Sequence, residues 1–164
     1  MIRCPNTSPL LILARLDRLD LLGEYDSVVL TQAVLTEVRE KHDVVAERVD
    51  RLAGDCRSAV EPEIVSTIDP SHDLGPGERS VLAWAVSQFP SEALCVLDDA
   101  AARREAARLG LRMTGTLGLI LRAKQDGRVR AAAPLVHDAV AAGLYLDDAT
   151  LAAALHRVGE SWKH

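Results

Sequence analysis

Leu94 to Leu119, LCVLDDAAARREAARLGLRMTGTLGL, is the stretch whose reading decides the fold. Leu94-Cys95-Val96-Leu97 is an apolar run too short for a helix, and it stops at Asp98-Asp99. An unalternated run of that kind predicts a strand buried on both faces, as in a parallel sheet. Asp99 then reads as the cap of a helix reaching Arg108, with Gly110 past its end. Leu111–Thr114 is a second short strand, and Gly115-Thr116 opens another helix. The segment is therefore βαβα. In such sheets ligands bind beyond the carboxyl ends of the strands, which is where the two carboxylates fall. Asp99 thus has two readings, a plain helix cap and a chemical group.

Working outward, Ile2–Cys4 is a strand followed by Pro5-Asn6-Thr7-Ser8-Pro9. Ser8 is the expected N-cap, with Pro9 at the first position of a helix running through Leu10–Ala14. Asn6 then lies at a strand end, in a position echoing Asp99. A short helix is expected over Arg18–Tyr25, a strand at Val28–Leu30 and a helix over Gln32–Lys41. Glu37 sits at the border of that helix's apolar stripe, on the sheet rim, although a solvated surface Glu fits the same place. Val45, Val49, Leu52 and Cys56 mark an amphipathic helix, and the β-branched Glu63–Ile68 reads as the third strand. The turn-rich loop after it carries His72, read as a loop side chain rather than a ligand. Glu78 opens a helix whose stripe is Val81, Leu82, Ala85, Val86 and Phe89, and an acid there also suits the helix dipole. Val129–Ala142 and Asp148–Val158 are Ala-rich helices.

Five short strands alternating with helices predict an α/β chain: a three-layer α/β/α sandwich around a central, mostly parallel five-stranded sheet. At 164 residues it is expected to form one domain, 1–164, with the helices of about 129–160 appended to it. The net charge of -5 excludes a general basic nucleic-acid coat but not a local basic stripe, and 3% aromatic content argues against recognition by base stacking. Cys4, Cys56 and Cys95 are odd in number and lack CxxC spacing, so they read as reduced thiols of a cytoplasmic protein. No apolar run approaches a membrane span, so no membrane is expected.

Asn6, Glu37, Glu78, Asp98 and Asp99 are the collected rim positions. Hard oxygen donors without a Cys/His set suit Mg²⁺ or Mn²⁺ rather than zinc. Without a cation, two such charges about 4 Å apart repel by roughly 4 kcal/mol at an effective dielectric of 20. A phosphoacceptor receiver domain would need its acidic pair after the first strand, and a haloacid-dehalogenase-type phosphatase would need Asp-x-Asp there. Neither pattern is present.

The stretches Asn6-Thr-Ser-Pro-Leu, Ala33-Val-Leu-Thr-Glu-Val, Leu74-Gly-Pro-Gly-Glu, Leu97-Asp-Asp-Ala-Ala-Ala-Arg and Arg112-Met-Thr-Gly-Thr-Leu-Gly-Leu, with Gly143-Leu-Tyr-Leu and Gly159-Glu, occur in this order. Together they resemble the PIN domains of VapC-type toxin ribonucleases, most closely the DUF3368-type PIN-like subfamily. The resemblance implies a PIN-like fold and an Mg²⁺- or Mn²⁺-dependent endoribonuclease, the toxin of a toxin–antitoxin pair. Asn6, Glu37, Glu78 and Asp99 match the catalytic and metal positions. Asp98 matches a neighbouring or alternative ligand, and Ser8, Arg103 and Thr116 the substrate contacts. RNA, a small antitoxin covering the acidic cleft, and a second copy in a homodimer are the partners it implies. The family's first acid is Asp; here Asn6 replaces it, so weakened activity is expected. The alternative is a catalytically dead PIN-like module that binds RNA or protein.

Overall fold

The computed structural model describes residues 1–41, 44–63, 68–69, 73–88 and 91–163. Its strands are β1 (Ile2–Pro5), β2 (Val29–Thr31), β3 (Arg57–Val60), β4 (Ala93–Val96) and β5 (Arg112–Thr114). β1, β4 and β5 form one parallel ladder in the order β1-β4-β5, and β2 and β3 form another. A parallel bridge between Arg3 and Val28 joins the two across β1 and β2. The chain is thus mixed α/β with parallel strands, as expected.

That order has a consequence. From β1 the chain moves one way to β2 and β3, then returns to the other side of β1 for β4 and β5. The reversal falls between β1 and β4, and such a switch point opens a crevice at the strands' carboxyl ends. Asn6 follows β1, Asp98-Asp99 follow β4, and the register pairs Pro5 with Val96. The ladder runs on past the strands, with Asn6 N–H donating to the Val96 carbonyl at 3.0 Å and Leu97 N–H to that of Thr114 at 2.8 Å.

Eight helices are described: α1 (Thr7–Arg15), α2 (Gln32–Glu40), α3 (Ala46–Asp55), α4 (Pro76–Ser87), α5 (Ala100–Arg108), α6 (Thr116–Gln125), α7 (Ala133–Ala141) and α8 (Asp148–His156). α1 is almost wholly apolar and correspondingly inaccessible, with Leu10–Ala14 all buried. Each Leu or Ile so enclosed stabilises the fold by about 1.5–3 kcal/mol relative to exposure. α4 packs against β1, β2, β4 and α2, burying Trp84; α6 packs against β5 and carries α7 and α8. Among the described residues, no helix is long and apolar enough to cross a membrane. The cysteines are free, and burial pushes the Cys95 thiol up to about 12.

Four element boundaries differ from expectation. The strand paired with β2 is Arg57–Val60, not Glu63–Ile68, of which residues 64–67 lie outside the described ones. β3 is short and only half covered, and it accommodates a register shift against β2 with Ala59 at φ 55. β-branching is therefore a poor guide to it. α1 begins at Thr7 with Asn6 as its N-cap, so Ser8 lies inside the first turn. The expected helix over Arg18–Tyr25 shrinks to a 3₁₀ turn, Leu19–Leu22, ended by Gly23 at φ 118. α7 starts at Ala133 rather than Val129, because Pro134 occupies its first turn and a distant Glu160 accepts from the N–H groups of Ala132 and Ala133. His72 and Phe89 lie outside the described residues.

Candidate active site

At the β1–α1 corner, Asn6 has extended backbone (φ -76, ψ 172), and its side chain makes no capping bond. It is only 3% exposed, and its Oδ1 is buried without a hydrogen-bond partner among the described residues. Such an orphan acceptor costs on the order of 1–3 kcal/mol, so it calls for an explanation. The next residue, Thr7, turns inward and donates its hydroxyl to Glu37 Oε2 on α2. Gly77 N–H, in the first turn of α4, donates to Glu37 Oε1 at 2.7 Å. Glu37 therefore ties the start of α1 to the start of α4, using one of the backbone donors that a helix start leaves open.

This packing requires glycine at Gly77, where a Cβ would stand 2.5 Å from Glu37 Oε2. At Gly75 a Cβ would be 2.8 Å from Glu78 Oε2 and 3.8 Å from Glu37 Oε1. The Gly75-Pro76-Gly77 turn thus holds the two carboxylates on either side of bare backbone. Glu78 has no hydrogen-bond partner among the described residues and lines the cleft.

At the β4–α5 corner the two acids divide their contacts. Asp98 Oδ1 accepts from Thr116 N–H at 2.8 Å and its Oδ2 from the Thr116 hydroxyl at 2.6 Å, capping α6. Asp99 is exposed and caps α5 as expected, its Oδ2 accepting from Ala102 N–H at 2.9 Å. Its Oδ1 carries no such bond. Arg103 is half-buried, with Nη1 donating to the Leu97 carbonyl at 2.8 Å. Thr116, expected to touch substrate, is instead fully buried with its hydroxyl turned onto Asp98.

Asn6, Ser8, Glu78, Asp98, Asp99 and Arg103 line one cleft of about 690 Å³, which the Gly143–Leu146 turn closes on its far side. Glu37 stands behind it, on Thr7 and Gly77. Tyr145, 96% exposed, rises on the rim. The sequence does not single out Thr7, Gly77 or Tyr145 as site residues. Thr7 lies one residue from Asn6, and the Gly-Pro-Gly triplet was the available signal for Gly77.

The donor chemistry suits a hard divalent cation: every candidate is an oxygen, and Asn6 Oδ1, Glu78 and Asp99 Oδ1 are uncommitted among the described residues. Glu37 and Asp98 each use two of about four lone-pair sites in positioning bonds. Among the described residues, no three Asp, Glu, His or Cys side chains come close enough together to hold an ion by themselves. The fit therefore depends on the Asn6 carbonyl joining the acids.

Parallel α/β topology with oxygen donors gathered at the switch point defines the class, an α/β domain with an acidic cleft. The family model DUF3368, a PIN domain, matches residues 2–160, and the chain belongs to the PIN-domain family. Its fold is accordingly nuclease-like, in a family of generally divalent-metal nucleases acting on nucleic acid. No curated protein was found to match the chain.

Proposed function

We propose that the chain is a metal-dependent endoribonuclease of the PIN type, the toxin of a toxin–antitoxin pair, with activity lowered by Asn6. The observation that carries this reading is the buried Asn6 Oδ1, unpartnered among the described residues, in the same cleft as Glu78, Asp98 and Asp99. An oxygen acceptor set beside carboxylates is donor chemistry that suits a hard divalent cation.

In this reading Asn6, Glu78 and Asp99 hold Mg²⁺ or Mn²⁺. When bound, the cation supplies Lewis acidity and an activated water for attack at phosphorus. Glu37 and Asp98 complete the negative field, and Thr7, Gly77 and Thr116 act as positioning residues that fix their rotamers. Arg103, braced on the Leu97 carbonyl, presents its remaining N–H groups to a substrate phosphate, and Ser8 offers a hydroxyl at the mouth. The exposed Tyr145 ring offers a stacking surface for a base beside the scissile bond. A small antitoxin covering the cleft, and a homodimer, belong to the same reading.

Asn6 keeps an oxygen of the right size but removes one unit of ligand charge, and ligand charge count sets the affinity of such sites. Asn6→Asp is therefore expected to raise Mn²⁺-dependent cleavage of single-stranded RNA by roughly tenfold or more. No gain would overturn the assignment. The second reading is a PIN-like module that binds RNA or protein without cutting, which Asn6 in place of an acid and the acids' separation among the described residues favour. Calorimetric titration with Mn²⁺ separates the two: weak binding by the chain as it stands supports the nuclease, and no heat supports the silent module.

A further inference from the structure

We propose that a second cavity, lined by Arg3, Arg122 and Arg157, binds the phosphodiester backbone of the single-stranded RNA whose scissile bond enters the acidic cleft, an inference resting on the nuclease reading above. The cavity measures about 480 Å³ and lies over β1, β4 and β5 beneath α6 and the end of α8. Its charged lining residues are these three arginines, with no Asp or Glu among them. In a chain of net charge -5, that is a local inversion.

Each arginine is available. Arg3 Nε is buried with no hydrogen-bond partner among the described residues. Burial, with the nearby Arg128 and Arg122 guanidinium groups, pushes the Arg3 guanidinium below its ordinary value, against the smaller opposing effect of Asp126. Arg122 shares its Nε with Asp126 at 3.0 Å but keeps its terminal nitrogens, and its side chain is 70% exposed. Arg157 is exposed and makes no ion pair among the described residues. Planar guanidinium forks match phosphate oxygens two at a time.

The path between the two sites selects the ligand. Thr114 and Gly118 line both the arginine cavity and a smaller one of about 340 Å³. The smaller one shares Asp98, Arg103, Leu144 and Leu146 with the acidic cleft. The three cavities are thus neighbours through shared lining residues, in the order acids, β5, arginines. A polymer bearing a phosphate at every residue can lie in both end cavities at once, with one phosphate at the acids and others on the guanidinium groups.

The test uses the full chain with its native Asn6, in chelator, so that binding is read without turnover. Fluorescence anisotropy of a labelled single-stranded RNA is followed against KCl for the parent, the double variant Arg122→Ala/Arg157→Ala, and Arg51→Ala on α3 as a distant charge control. The double variant is expected to weaken binding about tenfold or more and to flatten the plot of log K against log salt by roughly 1–2, two phosphate contacts at about 0.7 each. Arg51→Ala leaves both unchanged. Equal affinity and slope for parent and double variant overturn the proposal, as does failure of the parent to bind RNA at low salt. Loss of poly-glutamate binding with RNA binding intact also overturns it and assigns the cavity to an acidic protein segment. Hydrolysis of bis(p-nitrophenyl) phosphate, which has no flanking phosphates, by the Asn6→Asp chain reads the acidic cleft by itself. A failed cleft and a failed arginine cavity are thereby told apart.

Discussion

Asn6 and Asp99 occupy equivalent places on neighbouring strands, each the N-cap of the helix that leaves a strand at the switch point. The β4 corner behaves as an ordinary helix start: Asp99 is exposed and accepts from Ala102 N–H. The β1 corner does not. Asn6 is buried, makes no capping bond, and leaves its Oδ1 without a donor among the described residues, although Asn is as good a cap as Asp. Folding alone would have turned that carbonyl onto its own helix. The contrast sets a buried acceptor at β1 against two adjacent acids at β4 that each hold a helix start.

The largest expected effect comes from Asn6→Asp, which converts the buried amide into a second acidic corner. In chelator, the unpartnered buried carboxylate is expected to destabilise the fold by at least about 1–3 kcal/mol. That corresponds to a melting temperature lower by roughly 2–4 °C per kcal/mol in a chain of this size. Mn²⁺ should return it. A variant as stable as the parent in chelator would mean that the two corners are equally solvated, and the contrast would fail.

A smaller effect separates the two duties of Asp99. Asp99→Ala removes the α5 cap and should cost about 1 kcal/mol in thermal or denaturant unfolding. Asp99→Asn keeps a capping oxygen and should leave stability unchanged while lowering cleavage in an Asn6→Asp background. Equal loss of activity and stability in both variants would reduce Asp99 to a cap.

The smallest effect concerns a third way of closing a helix start, the remote Glu160 on α7. The N–H groups of Ala132 and Ala133, with help from Lys124, hold its carboxyl below the ordinary value of 4.5. Because the folded value is the lower one, its contribution is complete above about pH 4.5 and is lost as pH falls through the depressed value. Asp20 and Asp147 shift in the same direction, so they add to the acid limb. Glu160→Gln should lower the melting temperature at neutrality and approach the parent as pH falls below 4.5, so that its acid decline is flatter.

Much of this was legible in the sequence, for physical reasons that can be named. The β4–β5 segment announced itself because strands buried on both faces are unbroken apolar runs, and Asp99 as a cap because capping is local chemistry. Asn6, Glu78, Asp98 and Asp99 could be gathered because strand ends converge in a parallel sheet. The third strand could not be read, since β3 is half exposed and its pairing depends on a register shift rather than on its side chains. Thr116 was placed on the substrate because position says nothing of orientation, and its hydroxyl points inward to Asp98. Thr7 and Gly77 act only through Glu37, dozens of residues away, and no local pattern encodes such a contact.

The tightness at Gly77 carries a consequence for any reshaping of the protein. What keeps Glu37 aimed is a hydrogen atom where every other amino acid has a carbon. A single methyl group there would lever the carboxylate away without altering one charge, so the acidic cluster can be disarranged at a residue that has no functional group at all.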